Sequence, residues 1–274
     1  MLLLHGYPQT HVAWRRMAPA LAKHHALVVP DLPGYGASRP QAMTPRWTKR
    51  RVGKALVELM ASLGHDRFAV VGHDRGARVA YRMALDQPDR VTALACLAVV
   101  PTLDAMAAVD HHFATRASHW FFLAQAADLP ERLLAADPDA FLDRALTTMT
   151  GGRDVIEPDA REAYRAAFRD PAVRHAICED YRAALDEDLA HDTADRARGR
   201  RLSCPLLVLW PGADAGSGRV TPVETWRQWA DDVSGAATAG GHLLPEDAPD
   251  EILAQLGPFL ARSPQSRALS RLVR

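Results

Sequence analysis

The sequence predicts an α/β fold in which a mostly parallel sheet is flanked by helices and carries an inserted helical segment. Short apolar runs alternate with stretches of helical periodicity, and one long interval shows helical periodicity without strand-like runs. The chain has 274 residues, of which 48% are hydrophobic and 24% are charged. This composition is typical of a globular enzyme, and the length suits one large domain or one domain with a sizeable insertion.

The strands are predicted from their apolar character. They are expected at 2–5, 26–30, 67–72, 92–100, 205–210 and, more weakly, 235–239. The first run begins so early that we expect preceding strands of the sheet to be missing, through a late start codon or trimming of the chain.

The core helices are predicted from periodicity and end signals. A helix over 44–63 has Thr44 as its cap, Pro45 in its first turn and Gly64 at its end. Further helices are expected over 76–87 and 249–261. The interval rich in Ala, Arg and Asp between two strands reads as a helical cap domain, giving the division 1–101 and 200–274 for the core and 102–199 for the cap.

Several function classes are disfavoured by composition. Lys and Arg total 33 and so do Asp and Glu, and no basic tract suggests nucleic-acid binding. No apolar run is long enough for a membrane span. No HExxH motif or other metal-ligand spacing is present, so no metal and no cofactor are expected. The three cysteines, Cys96, Cys178 and Cys204, lie far apart in sequence and form no CxxC pair. They are expected to be reduced thiols, which indicates a cytoplasmic protein.

One short motif carries most of the chemical information. Gly72-His73-Asp74-Arg75-Gly76 lies where a predicted strand runs directly into a helix, which is the context of a nucleophile elbow. Its apex is Asp74 instead of the usual serine. A carboxylate nucleophile attacks saturated carbon and forms an alkyl ester, so alkyl halides or epoxides are favoured over ester substrates. The competing interpretation is an ordinary aspartate that caps the helix.

The partners of this nucleophile are expected in two loops. His242, in Gly240-Gly241-His242, follows the last strand and would be the general base that activates water; a surface histidine is the alternative. The loop His5-Gly6-Tyr7-Pro8 follows the first strand. The backbone N–H groups of Tyr7 and Arg75 are predicted to form the oxyanion hole.

Together these motifs resemble the fluoroacetate (haloacetate) dehalogenases of the α/β-hydrolase superfamily, over residues 1 to about 261. The resemblance rests on His5-Gly6-Tyr7-Pro8-Gln9-Thr10-His11, Asp31-Leu32-Pro33-Gly34-Tyr35-Gly36, Gly72-His73-Asp74-Arg75-Gly76-Ala77-Arg78, His119-Trp120 and Cys178-Glu179-Asp180-Tyr181-Arg182. It implies hydrolytic dehalogenation of a small-molecule 2-haloacid, and a homodimer.

Two arginines suggest the charge of the substrate. Arg75 and Arg78 lie three apart in the first turn of a helix, where positive charge opposes the helix dipole. Two arginines at this position make sense if the site binds an anion. In the resembled family the matching arginines bind the haloacetate carboxylate. The alternative is pairing with structural carboxylates. The resemblance further assigns the halide pocket to three side chains that all carry N–H or O–H donors: His119, Trp120 and Tyr181.

In the resembled family an acidic residue completes a catalytic triad with the nucleophile and the histidine base. The sequence departs from the family at this third member. The expected acid is replaced by Ala98, whereas Asp214 follows the strand at 205–210, where many other α/β-hydrolases keep their acid. We expect Asp214 to have taken over this role; a defective second half-reaction is the alternative. Met149 and Ala105 replace bulkier aromatic residues, so we expect a wider pocket that accepts chloro-, bromo- and 2-substituted acids, with weaker defluorination.

Two other functions stay open. An epoxide hydrolase of the same fold would use tyrosine acids, for which Tyr164 and Tyr181 are candidates. A catalytically impaired protein that only binds small carboxylates is the other alternative, given Ala98.

Overall fold

A five-stranded parallel sheet forms the centre of the computed structural model, which describes residues 1–40, 42–212 and 220–262. The strands follow chain order across the sheet: β1 (Leu2–Leu4), β2 (Phe68–His73), β3 (Val91–Leu97), β4 (Leu206–Pro211) and β5 (Val233–Thr238). The predicted α/β architecture is therefore confirmed.

The sheet is buried on both faces because its central strands are apolar at successive positions. Leu2 and Leu4 pack into one hydrophobic cluster, whereas Leu3, between them, packs into the other. Alternate side chains of a strand point to opposite faces, so continuous apolar runs require helices on both sides.

Helices cover these faces and fill the interval between β3 and β4. A 3-10 helix spans His11–Trp14. In chain order the α-helices are α1 (Ala18–Leu21), α2 (Lys49–Ser62), α3 (Arg75–Asp86), α4 (Thr102–Ala107), α5 (His111–Arg116), α6 (Ser118–Leu123), α7 (Leu129–Ala136), α8 (Pro138–Met149), α9 (Pro158–Phe168), α10 (Pro171–Leu185), α11 (Glu187–Ala197), α12 (Pro222–Trp226), α13 (Leu244–Asp247) and α14 (Pro249–Arg262). Helices α4 to α11 occupy the interval predicted as the cap. Among the described residues, no helix has both the length and the apolar character needed to cross a membrane.

Two predicted elements need correction. The run 26–30 contributes only an isolated bridge, in which Val28 pairs with Leu2, because β1 is three residues long and Pro30 has no N–H to extend the pairing. The helix predicted from 44 begins at Lys49. Its N-cap is Thr48, whose hydroxyl accepts a hydrogen bond from the Arg51 N–H at 3.2 Å, so Thr44 is not the cap.

Candidate active site

Asp74 is the apex of a tight turn between β2 and α3. Its φ is 48°, a conformation that is rare for any residue other than glycine. The turn leaves no room for side chains at the flanking glycines: a Cβ on Gly72 would lie 2.5 Å from Ala77 Cα, and one on Gly76 would lie 2.3 Å from the Leu4 carbonyl oxygen. The Asp74 side chain makes no capping hydrogen bond to α3, so the helix-cap interpretation is wrong.

Both carboxylate oxygens of Asp74 are engaged. The Tyr7 backbone N–H donates to Oδ1 at 2.9 Å, and His242 Nε2 lies 3.3 Å from Oδ2. Burial opposes ionisation, but the hydrogen bond with His242 and the nearby positive charges lower the pKa of Asp74 well below its usual value. The group is therefore a carboxylate at neutral pH, as a nucleophile must be.

The loop of His242 is fixed through its main chain. Its N–H donates to the carbonyl oxygen of Met149 at the end of α8, at 2.8 Å. Its carbonyl oxygen accepts a hydrogen bond from His73 Nε2 at 2.7 Å, and burial lowers the pKa of His73 to about 4. The neutral imidazole of His73 therefore carries its proton on Nε2. Neither of these two supports is marked by a motif in the sequence.

The loop after β1 lies against the nucleophile. A Cβ on Gly6 would lie 2.5 Å from Asp74 Cβ, so only glycine allows this approach. His5 anchors the loop, because its Nε2 accepts the Leu32 N–H at 3.0 Å. The Arg75 N–H, the second predicted oxyanion donor, is in the first turn of α3, where backbone N–H groups have no intrahelical acceptor.

The two arginines are buried but differ in their partners. Arg75 donates from Nε to Asp180 Oδ2 at 2.5 Å and from Nη2 to the Asp180 carbonyl oxygen at 2.8 Å. Arg78 donates from Nη1 to two uncharged oxygens, the Val100 carbonyl oxygen at 3.2 Å and the Thr102 hydroxyl at 2.9 Å. Pairing with a structural carboxylate thus applies to Arg75 and, within the described part of the chain, not to Arg78. Arg75 Nη1 and Arg78 Nε have no partner among the described residues.

Aromatic rings from the helical segment close over the arginines. The Arg75 guanidinium carbon lies 4.3 Å from the centre of the Tyr181 ring, and that of Arg78 lies 4.6 Å from the Trp120 ring. His119 is within 5.7 Å of the Tyr181 ring centre, and burial lowers its pKa to about 4. The Tyr181 hydroxyl is buried without a hydrogen-bond partner in the described part of the chain.

The structure thus brings together predicted residues from three helices, the elbow turn and two loops. They are Tyr7, Asp74, Arg75, Arg78, His119, Trp120, Tyr181 and His242.

The acid of the triad is the exception. Asp214 lies outside the described residues. Ala98 follows β3 directly and has a φ of 61°. Within residues 1–40, 42–212 and 220–262, the hydrogen bonds of the His242 ring involve Nε2 only. In the same ranges, no group of three or more His, Cys, Asp or Glu side chains is arranged to hold a metal ion.

The architecture and the elbow agree with a comparison to known families. The family model of the alpha/beta hydrolase fold matches residues 1–249. The chain belongs to the α/β-hydrolase fold family.

Two curated relatives of this α/β hydrolase differ in the reaction that their names give. A fluoroacetate dehalogenase from Burkholderia sp. is 38% identical over 265 residues, which cover 95% of this chain and 86% of the relative. A soluble epoxide hydrolase from Corynebacterium sp. (strain C12) is 32% identical over 259 residues, covering 92% and 87%. A solved Pseudomonas aeruginosa structure, provisionally described as an epoxide hydrolase, is 55% identical with a TM-score of 0.92, over 95% of this chain and 87% of that one. The resemblance to fluoroacetate dehalogenases is confirmed, and hydrolase activity is supported.

Proposed function

We propose that this α/β hydrolase removes halide from haloacetate-type 2-haloacids. The observation that carries the proposal is a pair of buried guanidinium groups near the Asp74 carboxylate, each with an N–H that has no partner among the described residues. A buried donor without a partner costs about 1–3 kcal/mol. A substrate carboxylate would accept from both Arg75 Nη1 and Arg78 Nε, and would add charge-assisted hydrogen bonds.

The first half-reaction is a displacement at the carbon bearing the halogen. Asp74 Oδ2 forms a bond to this carbon while the carbon–halogen bond breaks and the halide leaves with its electron pair. Asp74 Oδ1 stays on the Tyr7 N–H. The departing halide accepts hydrogen bonds from Tyr181, Trp120 and neutral His119, whose low pKa leaves one ring N–H as donor at neutral pH.

The second half-reaction hydrolyses the Asp74 ester. His242 takes a proton from water, and the water oxygen attacks Asp74 Cγ. The negative charge that develops on Oδ1 is stabilised by the N–H groups of Tyr7 and Arg75. Collapse releases the alkoxide, which takes the proton from His242 and leaves as the 2-hydroxy acid. Asp74, left as a carboxylic acid by the added hydroxyl, releases its remaining proton to solvent and becomes a carboxylate again. In this proposal Asp214 supports the imidazolium.

An epoxide hydrolase is the second candidate, favoured by the names of two similar proteins. Epoxide opening needs a phenol that protonates the leaving oxygen, and Tyr181 offers a buried hydroxyl with no hydrogen-bond partner among the described residues. Tyr164 is committed elsewhere, since its hydroxyl donates to buried Glu246 at 2.5 Å. The two buried arginines also have no role with a neutral epoxide, which is why we favour the haloacid.

The deciding experiment measures halide by ion chromatography and diol by mass spectrometry. Fluoroacetate, chloroacetate, 2-chloropropionate and an epoxide such as styrene oxide are given to the wild type and to Asp74→Asn. Exposed Asp154→Asn is the matched control. We expect halide release with chloroacetate ahead of fluoroacetate, its loss in Asp74→Asn and its retention in Asp154→Asn. Diol without halide would establish the epoxide hydrolase, and carboxylate binding without any turnover would establish the impaired binding protein.

A further inference from the structure

Among the described residues, the side-chain hydrogen bonds of Arg75 all go to one residue of the helical segment. Asp180, on α10, accepts from Arg75 Nε through its side chain and from Nη2 through its main chain, at 2.5 and 2.8 Å. A guanidinium is planar, so two contacts along one edge fix the direction of the remaining nitrogen. That nitrogen, Nη1, is the one without a partner among the described residues.

Asp180 is itself fixed by residues of the core. The Tyr35 hydroxyl donates to Asp180 Oδ2 at 3.1 Å, and Nζ of buried Lys49 donates to Oδ1. The backbone N–H of Lys49 in turn donates to Asp188 Oδ1 at 2.8 Å. The side chains of Lys49 and Arg75 therefore both donate to the Asp180 carboxylate, so its orientation is fixed from two sides.

We propose that Asp180 is a positioning residue for substrate binding: it orients Arg75 so that Nη1 is presented to the carboxylate of the substrate. The inference rests on the carboxylate site of the proposed function, and Asp180 itself need not touch the substrate. An asparagine at this position has no charge and places an NH₂ group against either Arg75 or Lys49, both of which are donors, so the fixed geometry is lost.

A second ion pair allows the positioning of Arg75 to be distinguished from a general role in attaching the helical segment to the core. Arg82, two turns along α3 from Arg75, forms an ion pair with Asp195 on α11, and both side chains are buried. This pair also joins the core to the helical segment but is not in contact with Arg75. Asp195→Asn is therefore the control for a purely structural effect.

The test measures acetate binding by isothermal titration calorimetry, because acetate offers the carboxylate and cannot react. Asp180→Asn should weaken acetate binding roughly tenfold or more, as expected for loss of an oriented charge-assisted contact, while Asp195→Asn stays within about twofold. If haloacids are turned over, KM for chloroacetate should rise in parallel in Asp180→Asn, and kcat should change little.

Other results overturn the inference. Equal weakening in both variants would mean that Asp180 only holds the helical segment, and unchanged acetate binding in Asp180→Asn would remove its positioning role. If Asp180→Asn does not fold, Tyr35→Phe tests the inference instead. This variant deletes one donor to Asp180 and should weaken acetate binding about two- to fivefold. Unchanged acetate binding in Tyr35→Phe would overturn the inference. A wild type that binds acetate but releases no halide refutes the proposed function alone, and one that binds no acetate refutes the carboxylate site.

Discussion

His242 Nε2 and Asp74 Oδ2 lie 3.3 Å apart although 168 positions separate the two residues in the chain. The contact places the proposed base beside the nucleophile and helps to keep Asp74 ionised. In the proposed reaction this nitrogen does not act on the carbon–halogen bond. It is needed only when water attacks the ester, so the two half-reactions depend on His242 to different extents.

His242→Gln is expected to stop the reaction after ester formation. Glutamine can still donate a hydrogen bond to Asp74, but it is not a base for water. We expect one halide per protein molecule in a burst, followed by a persistent ester on Asp74 that mass spectrometry of the digested protein detects. Full turnover would contradict the assignment of His242, and a halide burst without an ester on Asp74 would contradict the assignment of Asp74 as the nucleophile. Exposed His112→Gln serves as the control and should turn over normally.

The elbow was predictable from sequence because its steric demands are local. Gly72 and Gly76 flank the apex at fixed spacing, and the structure shows backbone atoms where their side chains would be. The support of Arg75 was not predictable, since Asp180 and Lys49 come from distant segments and a lone charged residue normally indicates a solvated position. The cap of α2 was misplaced by four residues because Thr44 and Thr48 carry the same local signal, and only the fold determines which hydroxyl meets a free N–H.

Arg78→Lys is expected to weaken substrate binding with little effect on the chemical step. The positive charge remains, but a lysine lacks the planar guanidinium, in which Nη1 donates to Thr102 while Nε has no partner among the described residues. We expect KM for chloroacetate to rise about 10- to 100-fold, the cost of one charge-assisted hydrogen bond, with kcat nearly unchanged. Arg82→Lys, on the same helix and equally buried, is the control. A fall in kcat at constant KM would argue against carboxylate binding by Arg78.

Asp214→Asn should slow the second half-reaction, ester hydrolysis, and leave the first, ester formation, unchanged. Loss of the acid destabilises the imidazolium, so ester hydrolysis should slow about 10²- to 10⁴-fold, while ester formation is unaffected. Single-turnover quenching with quantification of halide and ester measures both rates. Equal effects on the two steps would refute the role of Asp214.

Ala98→Asp in the Asp214→Asn background tests whether the acid has moved. Ala98 has a φ of 61°, which aspartate tolerates better than alanine does, so the turn after β3 should accept the change. Because the resembled family carries its acid here, we expect at least a roughly tenfold recovery of ester hydrolysis. Ala98→Asn has the same backbone preference without the charge, and recovery in that variant would show that the carboxylate is not the cause.

Buried histidines should make the folded protein sensitive to mild acid. Burial lowers the pKa of His5 and of His73 from 6.5 to about 4. Between these two pH values the unfolded chain binds more protons than the folded one, so stability falls as the pH falls. One such histidine contributes a loss of about 2 kcal/mol between pH 7.5 and pH 5, since each pKa unit corresponds to about 1.4 kcal/mol.

His5→Gln isolates this contribution. The amide oxygen of glutamine can replace Nε2 as acceptor for the Leu32 N–H, and glutamine does not titrate. Buried carboxyls with raised pKa, such as Glu246 and Asp247, act in the opposite direction, because their protonation on acidification favours the folded state. They are present in both proteins, so the informative quantity is the change in unfolding free energy between pH 7.5 and pH 5, measured by urea denaturation. This change should be about 2 kcal/mol smaller in His5→Gln. An identical pH dependence in the two proteins would show that His5 is protonated as readily in the folded state as in the unfolded chain.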